Sequence, residues 1–458
     1  MNPISRRRFL IQGGSAYAAL SLGACGSSPD VSSGGGGGGG GGDAAPSSDD
    51  GYKALVAIAL HGGNDAYNMI VPRESAAYSD YASARQGLAL PRGDLLALGE
   101  ADNGVAFGAH PQMNGLQSLF QQGRAAVLAN VGTLAEPSSV SQLKNGVIAA
   151  PPRLFSHNDQ SDQWQKTSVA SLEAVGWAGR AADLLAPKYR TQTLPIGLSY
   201  SGANLLQVGR TQTGLSISTS GPQSLSFLRR NPALDSVYEA LLANGHEHLF
   251  AREYARGHAN GLAFNAQIAA ALETVEAPQV SFPADGLGAQ LKAVAQLIAA
   301  REALGVKRQI FLVGLGGFDT HADQLSRHAS LMNSLSTNLE ALYNATEALG
   351  VAGSVTSFTI SDFGRSLSVN GDGTDHGWSS HQLIVGGGVQ GGRFYGSMPE
   401  LALSAERDYG GGRFVPTTAV DQYGASLLRW FGVPASSMES VFPNIARFES
   451  ADLGFMAG

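Results

Sequence analysis

Acidic and imidazole side chains follow three apolar segments of the chain, each in a glycine-rich turn. The segments are 54–60, 309–314 and 355–360, and the residues that follow them are Asp65, Asp319 with His321, and Asp362. His376 stands in a further glycine-rich turn, ahead of the short apolar run 382–385. Carboxylates brought together repel one another unless a cation lies between them, and Asp and His supply the oxygen and nitrogen ligands that Zn, Mn, Mg or Ca take. These five residues therefore predict a divalent-metal site.

Each carboxylate also has a structural explanation, because Asp is a preferred N-cap residue. Asp65 could cap whatever follows it, and Asp323 is the natural cap of the long helix expected over 323–349. His328, in the middle of that helix, is expected at the surface. The convergence of several acidic and imidazole groups favours the metal site over capping.

A dense polar turn at 153–159 holds the best candidate nucleophile. Ser156 beside His157 could attack a substrate with help from a metal or a base. The plainer interpretation is a Ser/His loop that only holds the backbone in place. Arg365, three residues after Asp362, could hold a substrate anion through a bidentate contact.

A sheet is needed to bring these residues together, and the chain has the pattern of one. Apolar runs alternate with segments of helical period, giving strands at 54–60, 125–131, 309–314 and 355–360 and helices at 111–122, 287–304, 323–349 and 420–431. This alternation predicts a three-layer α/β sandwich with a mostly parallel central sheet and crossover helices. Ligands of such sheets bind outside the carboxyl ends of the strands, where the acidic and imidazole residues stand.

Composition narrows the class of protein. Of the 458 residues 43 % are hydrophobic and 15 % charged, which allows a large core and excludes a disordered chain. The net charge of −7, without a basic tract, argues against nucleic acid as the main partner. A single cysteine, Cys25, excludes an intramolecular disulfide and a Cys-based zinc cluster.

The first fifty residues have the features of an export signal. Arg6 and Arg7 resemble a twin-arginine motif, and the weakly apolar segment 11–23 is shorter than the ~20 residues of a membrane span. Small residues before Cys25 resemble a lipobox, whose cysteine is acylated; an ordinary thiol is the alternative. We expect a signal peptide over 1–24, a Gly/Ser-rich tether over 25–50 and lipidation of Cys25.

No clear boundary follows the tether. We therefore expect one α/β domain over 51–458, with an insertion near 202–222, where glycine and polar residues show no period. The exported protein would be held on a membrane by its lipid, facing the periplasm or the cell surface.

Taken together, the motifs resemble a known bacterial family. They are Gly-Gly-x-Asp at 62–65, Ser-His-x-Asp at 156–159, Gly-Gly-Phe-Asp-Thr-His at 316–321, Ser-Asp-Phe-Gly-Arg at 361–365, Gly-Thr-Asp-His-Gly at 373–377 and Gly-Gly-Gly-Val-x-Gly-Gly at 386–392. From about residue 55 to 434 the chain is similar to the "domain of unknown function 1501" family. That family is grouped with the alkaline phosphatase and sulfatase superfamily, so the resemblance implies an alkaline phosphatase-like fold with metal ligands at strand ends.

The chain departs from the superfamily pattern at two positions. Asp319 and His321 are spaced Asp-x-His, where Asp-x-x-x-His is common. Phe363 stands where the superfamily usually has histidine, so His376 is expected to supply that imidazole.

Two functions fit these observations. The first is a lipid-anchored, metal-dependent hydrolase of phosphate or sulfate esters, acting on a small anionic ester. The alternative is a non-catalytic cell-surface protein that keeps the sulfatase-like fold and binds a glycan or a protein.

Overall fold

A mixed sheet of nine strands organises the part of the chain that the computed structural model describes, residues 51–167, 173–221, 231 and 234–457. The expected signal peptide, the tether and Cys25 lie outside these residues. Among the described helices, none combines the length and the apolar character needed to cross a membrane.

The strands are β1 Lys53–His61, β2 Ile70–Pro72, β3 Leu96–Glu100, β4 Ala106–Ala109, β5 Ala125–Gly132, β6 Gly197–Ser199, β7 Leu215–Ser216, β8 Arg308–Gly316, β9 Val355–Ser361, β10 Arg365–Asn370, β11 Gly373–His376, β12 Ser380–Gly386, β13 Arg393–Tyr395 and β14 Thr418–Ala419. The α-helices are α1 Ala66–Met69, α2 Ser75–Arg85, α3 Asn114–Gln121, α4 Val140–Lys144, α5 His157–Lys166, α6 Trp177–Leu185, α7 Asp235–Ala243, α8 Leu249–Glu273, α9 Gly286–Ala299, α10 Gln324–Ala348, α11 Val420–Phe431 and α12 Met438–Val441.

The order of strands in the main sheet is β13-β5-β12-β9-β1-β8-β6-β7, with β14 also beside β5. β1 lies at the centre and is parallel to both neighbours, with His61 opposite Gly316 and Leu60 opposite Ser361. The three strands therefore end in one row. The turns that carry Asp65, Asp319 and Asp362 begin from that row.

β12 is antiparallel to both β9 and β5, whereas the other described strand pairs of this sheet are parallel. The reason is the connection: β9 leads into the short antiparallel pair β10–β11 rather than into a crossover helix. β12 consequently begins where β9 ends, so the turn before it still reaches the same edge of the sheet.

Side chains of β1 alternate between two cores, one on each face of the sheet. Val56 and Ile58 pack with α9 and α10 through residues such as Leu291 and Leu339. The intervening Leu55, Ala57 and Ala59 belong to the opposite core, which contains Trp177 of α6 and Leu427 of α11. A sheet covered by helices on both faces confirms the three-layer, mostly parallel α/β sandwich.

α10 begins without the expected cap. Asp323 has a left-handed backbone (φ 52°) and its side chain makes no capping hydrogen bond. His328 on the same helix is buried, with Nε2 3.1 Å from Oδ1 of Asn64, so the expectation that it lies at the surface is wrong. A single sequence does not show which face of a long helix with polar residues all round meets the sheet.

Candidate metal centre

Three potential ligands converge at the end of the sheet: the side chains of His157, Asp319 and His376. His157 is the first residue of α5, Asp319 lies in the turn after β8, and His376 ends β11. Each offers one ligand atom, and these atoms all lie within 4.8 Å of one another. We call these three residues the ligand core.

Distances within the cluster fit a shared cation. Nε2 of His376 is 3.2 Å from Oδ1 of Asp319, and Nε2 of His157 is 3.5 Å from Oδ2 of the same carboxylate. Nε2 of His321 is 3.0 Å from both that Oδ1 and Nε2 of His376. Tetrahedral zinc ligands, with bonds of about 2 Å, stand about 3.3 Å apart. The two imidazoles and the carboxylate of the ligand core can therefore hold one ion, and His321 lies beside two of these three residues.

The other ring nitrogen of each core histidine faces an oxygen. Nδ1 of His157 is 2.9 Å from Oδ2 of Asp362, and Nδ1 of His376 is 2.7 Å from the carbonyl oxygen of Phe155. A proton on Nδ1 leaves the lone pair on Nε2, which is the usual arrangement of a metal-ligating histidine. Asp362, predicted as a ligand, lies behind His157 and orients it.

His321 is held less firmly than the core histidines. Its Nδ1 atom is 3.6 Å from Oδ1 of Asp375, beyond normal hydrogen-bond length, and its side chain is 44 % exposed. Asp319 is 46 % exposed, so the cluster is open to solvent on one side. Catalytic zinc sites keep such an open position, whereas structural sites are closed.

Phe363 packs against both core imidazoles. Its ring centroid is 4.7 Å from that of His157 and 4.7 Å from that of His376. The aromatic side chain of Phe363 therefore fixes the two imidazole rings against each other. The rings of His157 and His376 meet edge to face, with centroids 4.4 Å apart.

Arg365 holds Asp319 and is fully buried. Its guanidinium donates from Nη1 to Oδ1 of Asp319 at 3.0 Å and to the carbonyl oxygen of Gly62 at 3.1 Å. The remaining donors go to Thr374, from Nε to Oγ1 at 2.9 Å and from Nη2 to the carbonyl oxygen. With no exposed surface, Arg365 positions a ligand and does not face a substrate anion as the sequence suggested.

Charge and burial shift the pKa values of two core residues, Asp319 and His376. Partial burial works against ionisation of Asp319, but the hydrogen bond and charge of Arg365, with the charges of His321 and His157, outweigh it and lower the pKa of the carboxyl. Burial, with the charges of His157 and Arg365, lowers the pKa of His376. An ionised carboxylate and neutral imidazoles are the forms that bind a metal.

Asp65, also predicted as a ligand, lies in a buried network next to the site. It pairs with Arg85 at the end of α2 and accepts a hydrogen bond from Nε2 of Gln324. Oε1 of Gln324 in turn accepts from Oγ1 of Thr374, 2.7 Å away, and Thr374 contacts Arg365. Asp65 thus reaches the ligand core only through other side chains.

Ser156 is turned toward a carboxylate outside the ligand core. Its hydroxyl donates to Oδ2 of Asp159, 2.6 Å away. Within the described part of the chain this is the one hydrogen bond of the hydroxyl. The arrangement matches the plainer interpretation of the Ser/His turn, and the structure brings His157 but not Ser156 to the cluster.

Strained backbone places the groups behind the core. Phe155, whose carbonyl oxygen meets His376, has φ 71°, and Gly62, whose N–H donates to Oδ2 of Asp362 at 3.1 Å, has φ 114°. A Cβ at position 62 would lie 2.4 Å from the backbone nitrogen of Asp319. Only glycine fits here, because the turns after β1 and β8 touch.

The family model described as "Protein of unknown function (DUF1501)" matches residues 52–410. No curated protein matches the chain.

Several solved structures are similar over most of their length. The soluble domain of lipooligosaccharide phosphoethanolamine transferase A from Neisseria meningitidis is 8 % identical, with 84 % of this chain and 89 % of that chain covered and a TM-score of 0.35. Ps i-CgsB in complex with k-i-k-neocarrahexaose is 11 % identical, with coverage of 86 % and 77 % and a TM-score of 0.33. The PsFucS1 sulfatase from Pseudoalteromonas sp. is 8 % identical, with coverage of 84 % and 68 % and a TM-score of 0.31.

Proposed function

The chain belongs to the DUF1501 family, a family of proteins of unknown function, and from that premise we propose that it is a metal-dependent hydrolase of phosphate or sulfate esters. One observation carries the proposal, the ligand core of His157, Asp319 and His376. Other protein groups hold both of its imidazoles in place, while the carboxylate of Asp319 is exposed to solvent. A closed structural site would not need a solvent-exposed carboxylate.

The donor set supports zinc as the resident ion. Imidazole suits zinc and other transition metals, whereas magnesium and calcium prefer oxygen ligands. His157, Asp319 and His376 would hold the ion. His321 would be an exchangeable fourth ligand, because its ring has no short anchor of its own.

A bound zinc ion would polarise an ester oxygen and lower the pKa of a water molecule. Residues of the protein orient the ligands and open a position for the substrate. Asp362 keeps His157 in the ligating tautomer, Arg365 holds Asp319 in place, and departure of His321 would open a position for a substrate oxygen. We assign the attack to water rather than to Ser156, whose hydroxyl is bonded to Asp159.

Metal content tests the proposal first. The wild-type protein, D319N and H248A would be purified after expression with added zinc and analysed by mass spectrometry for bound metals. His248 is exposed and distant in sequence from every core residue, so its variant is the matched control. We expect one zinc per chain in wild type and H248A and none in D319N. Absence of a stoichiometric ion in the wild type would refute the hydrolase.

A non-catalytic binding protein is the second candidate. Two contacts favour it: Arg365 is buried and occupied by protein groups, and Ser156 is bonded to Asp159, so neither is free to act on an ester. Zinc retained by a protein that cleaves none of a panel of phosphate and sulfate esters would select this candidate.

Export and anchoring belong to the proposal as well. The twin-arginine motif and the small residues before Cys25 support a lipoprotein on the outer side of a membrane. Mass spectrometry of the N-terminal peptide of the mature protein tests this: a diacylated Cys25 is expected, and C25S should leave the membrane fraction.

A further inference from the structure

A cleft of about 280 Å³ shares the side chain of Asp362 with the metal centre. Its floor is formed by the ends of the central strands, at Ala59, Leu312 and Ile360. Its walls are α5, through Trp164, and the loop that follows β6. The cleft therefore lies where an ester held at the ligand core would extend.

The walls of the cleft are fixed to each other. Oε1 of Gln165 accepts the backbone N–H groups of Leu205 and Leu206 at 3.0 and 2.9 Å. Gln165 lies on α5, whose first residue is the core ligand His157. The loop, the helix and the ligand thus form one connected unit, and the cleft exists before any substrate binds.

No lysine or arginine lines the cleft within the described part of the chain. Its carboxylates are those of Asp162 and Asp362, and Nζ of Lys166, outside the lining, is 3.7 Å from Oδ2 of Asp162. A second anionic group on the substrate would find no free cation in the lining, because the nearby Lys166 is already paired with Asp162, and it would meet the carboxylate of Asp362. The lining consequently disfavours substrates that carry a negative charge away from the ester.

Neutral groups make up most of the remaining polar lining, namely Ser161, Gln165, Ser201, Asn204 and Ser361. The side chain of Trp164, only 3 % exposed, forms part of the wall beside these groups. Hydroxyl groups, which both donate and accept, match this mixture of groups.

We propose that the cleft binds the uncharged, hydroxyl-rich alcohol part of the substrate, a sugar or polyol, while the ester anion lies at the ligand core. This inference rests on the proposed function for the position of the ester. The recognition of the alcohol itself depends only on the cleft.

Binding of free alcohols tests the cleft without any turnover. Full-length protein freed of metal would be examined by saturation-transfer NMR with methyl glucoside, ethanolamine and glycerate as neutral, cationic and anionic probes, so that no probe can bind to zinc. We expect saturation transfer to methyl glucoside alone. Ala203→Trp, which places a large ring in the cleft, should abolish it, while Ala76→Trp on an exposed surface of α2 should not. A circular dichroism melt confirms that both variants fold.

A second pair of variants tests the charge of the lining. Asp162→Lys puts a cation into the lining at an exposed position and frees Lys166 from its ion pair, and Asp94→Lys makes the same change at an exposed residue elsewhere. We expect glycerate binding to appear only in D162K. Ethanolamine binding to the wild type, or no binding of any probe, would overturn the proposal. Methyl glucoside binding by a protein that cleaves none of the panel of phosphate and sulfate esters would support the cleft and refute the hydrolase.

Discussion

Nδ1 of His157 lies 2.9 Å from Oδ2 of Asp362, and the same oxygen accepts the N–H of Gly62. Asp362 therefore couples the turn after β1 and the turn after β9 to the first residue of α5. A carboxylate behind a ligating histidine fixes its tautomer and raises its basicity.

Asp362→Ala should weaken zinc binding by roughly 10–100-fold, the usual effect of removing such a partner. Competition with a chromophoric chelator measures the dissociation constant. Asp94→Ala, at an exposed site, is the control and should bind zinc as the wild type does. An unchanged affinity in D362A would show that the aspartate does not orient the ligand.

His321→Ala and His376→Ala should differ in zinc retention. His376 is anchored by a 2.7 Å contact to a carbonyl oxygen, whereas His321 has only a 3.6 Å contact to Asp375. We therefore expect H376A to lose the ion and H321A to keep it with lower affinity, as dialysis followed by metal analysis would reveal. Equal losses in both variants would make His321 a member of the core.

Ser156→Ala should retain ester hydrolysis within a few-fold of the wild type, because the hydroxyl donates to Asp159 and not to a core residue. Loss of a true nucleophile costs several orders of magnitude in kcat. Steady-state kinetics on the ester identified by screening decides between the two. A collapse of kcat with zinc content unchanged would restore Ser156 as the nucleophile.

Gly62→Ala should destabilise the fold by about 2 kcal/mol or more, because the new methyl group meets a backbone nitrogen at a left-handed position. Gly87→Ala is the matched control, since a Cβ there meets nothing within 4 Å. Urea unfolding monitored by tryptophan fluorescence gives both values. Equal midpoints for the two variants would contradict the close approach of the two turns.

Acid should unfold the protein partly through two buried histidines. Burial lowers the pKa of both His110 and His328 to about 3. The unfolded chain takes up protons on both near pH 6.5 while the folded chain does not, so stability falls as pH drops from about 6.5 toward 3, by at most about 1.4 kcal/mol per pH unit for each.

His328→Gln should flatten that pH dependence, because glutamine can keep the contact to Oδ1 of Asn64 without titrating. Urea unfolding of the variant at a series of pH values measures the slope. His248→Gln, at an exposed position, should leave the slope as in the wild type. A slope in H328Q as steep as in the wild type would assign the acid sensitivity to other groups.

Much of the fold follows from the sequence pattern alone. Continuous apolar runs identified β1, β8 and β9, and parallel packing brings their ends to one edge. The direction of β12 was not predictable from its own residues, since a short apolar run looks the same in either orientation. The sequence between β9 and β12 has no segment of helical period, and this was the available sign that the two strands are not joined by a parallel crossover connection.

The sequence predicted part of the candidate site, namely the residues that stand next to strand ends. Asp319, His321 and His376 follow or precede strands, and the structure brings them together. His157 was singled out for catalysis rather than as a ligand, because it opens a helix after an irregular loop and no strand end points to it. The partner of Asp65 lies twenty residues later in Arg85, and a lone sequence does not reveal such a pairing.

The ligand core takes its members from the start of α5, the turn after β8 and the end of β11, which are far apart along the chain. No fragment that lacks one of these elements could retain the ion, so the cation would enter only after the whole sheet has assembled. Its binding free energy would then be added to the stability of the finished fold alone, by mass action. An unfolded chain in transit would carry no metal, and the compartment in which folding ends would determine which metal the protein acquires.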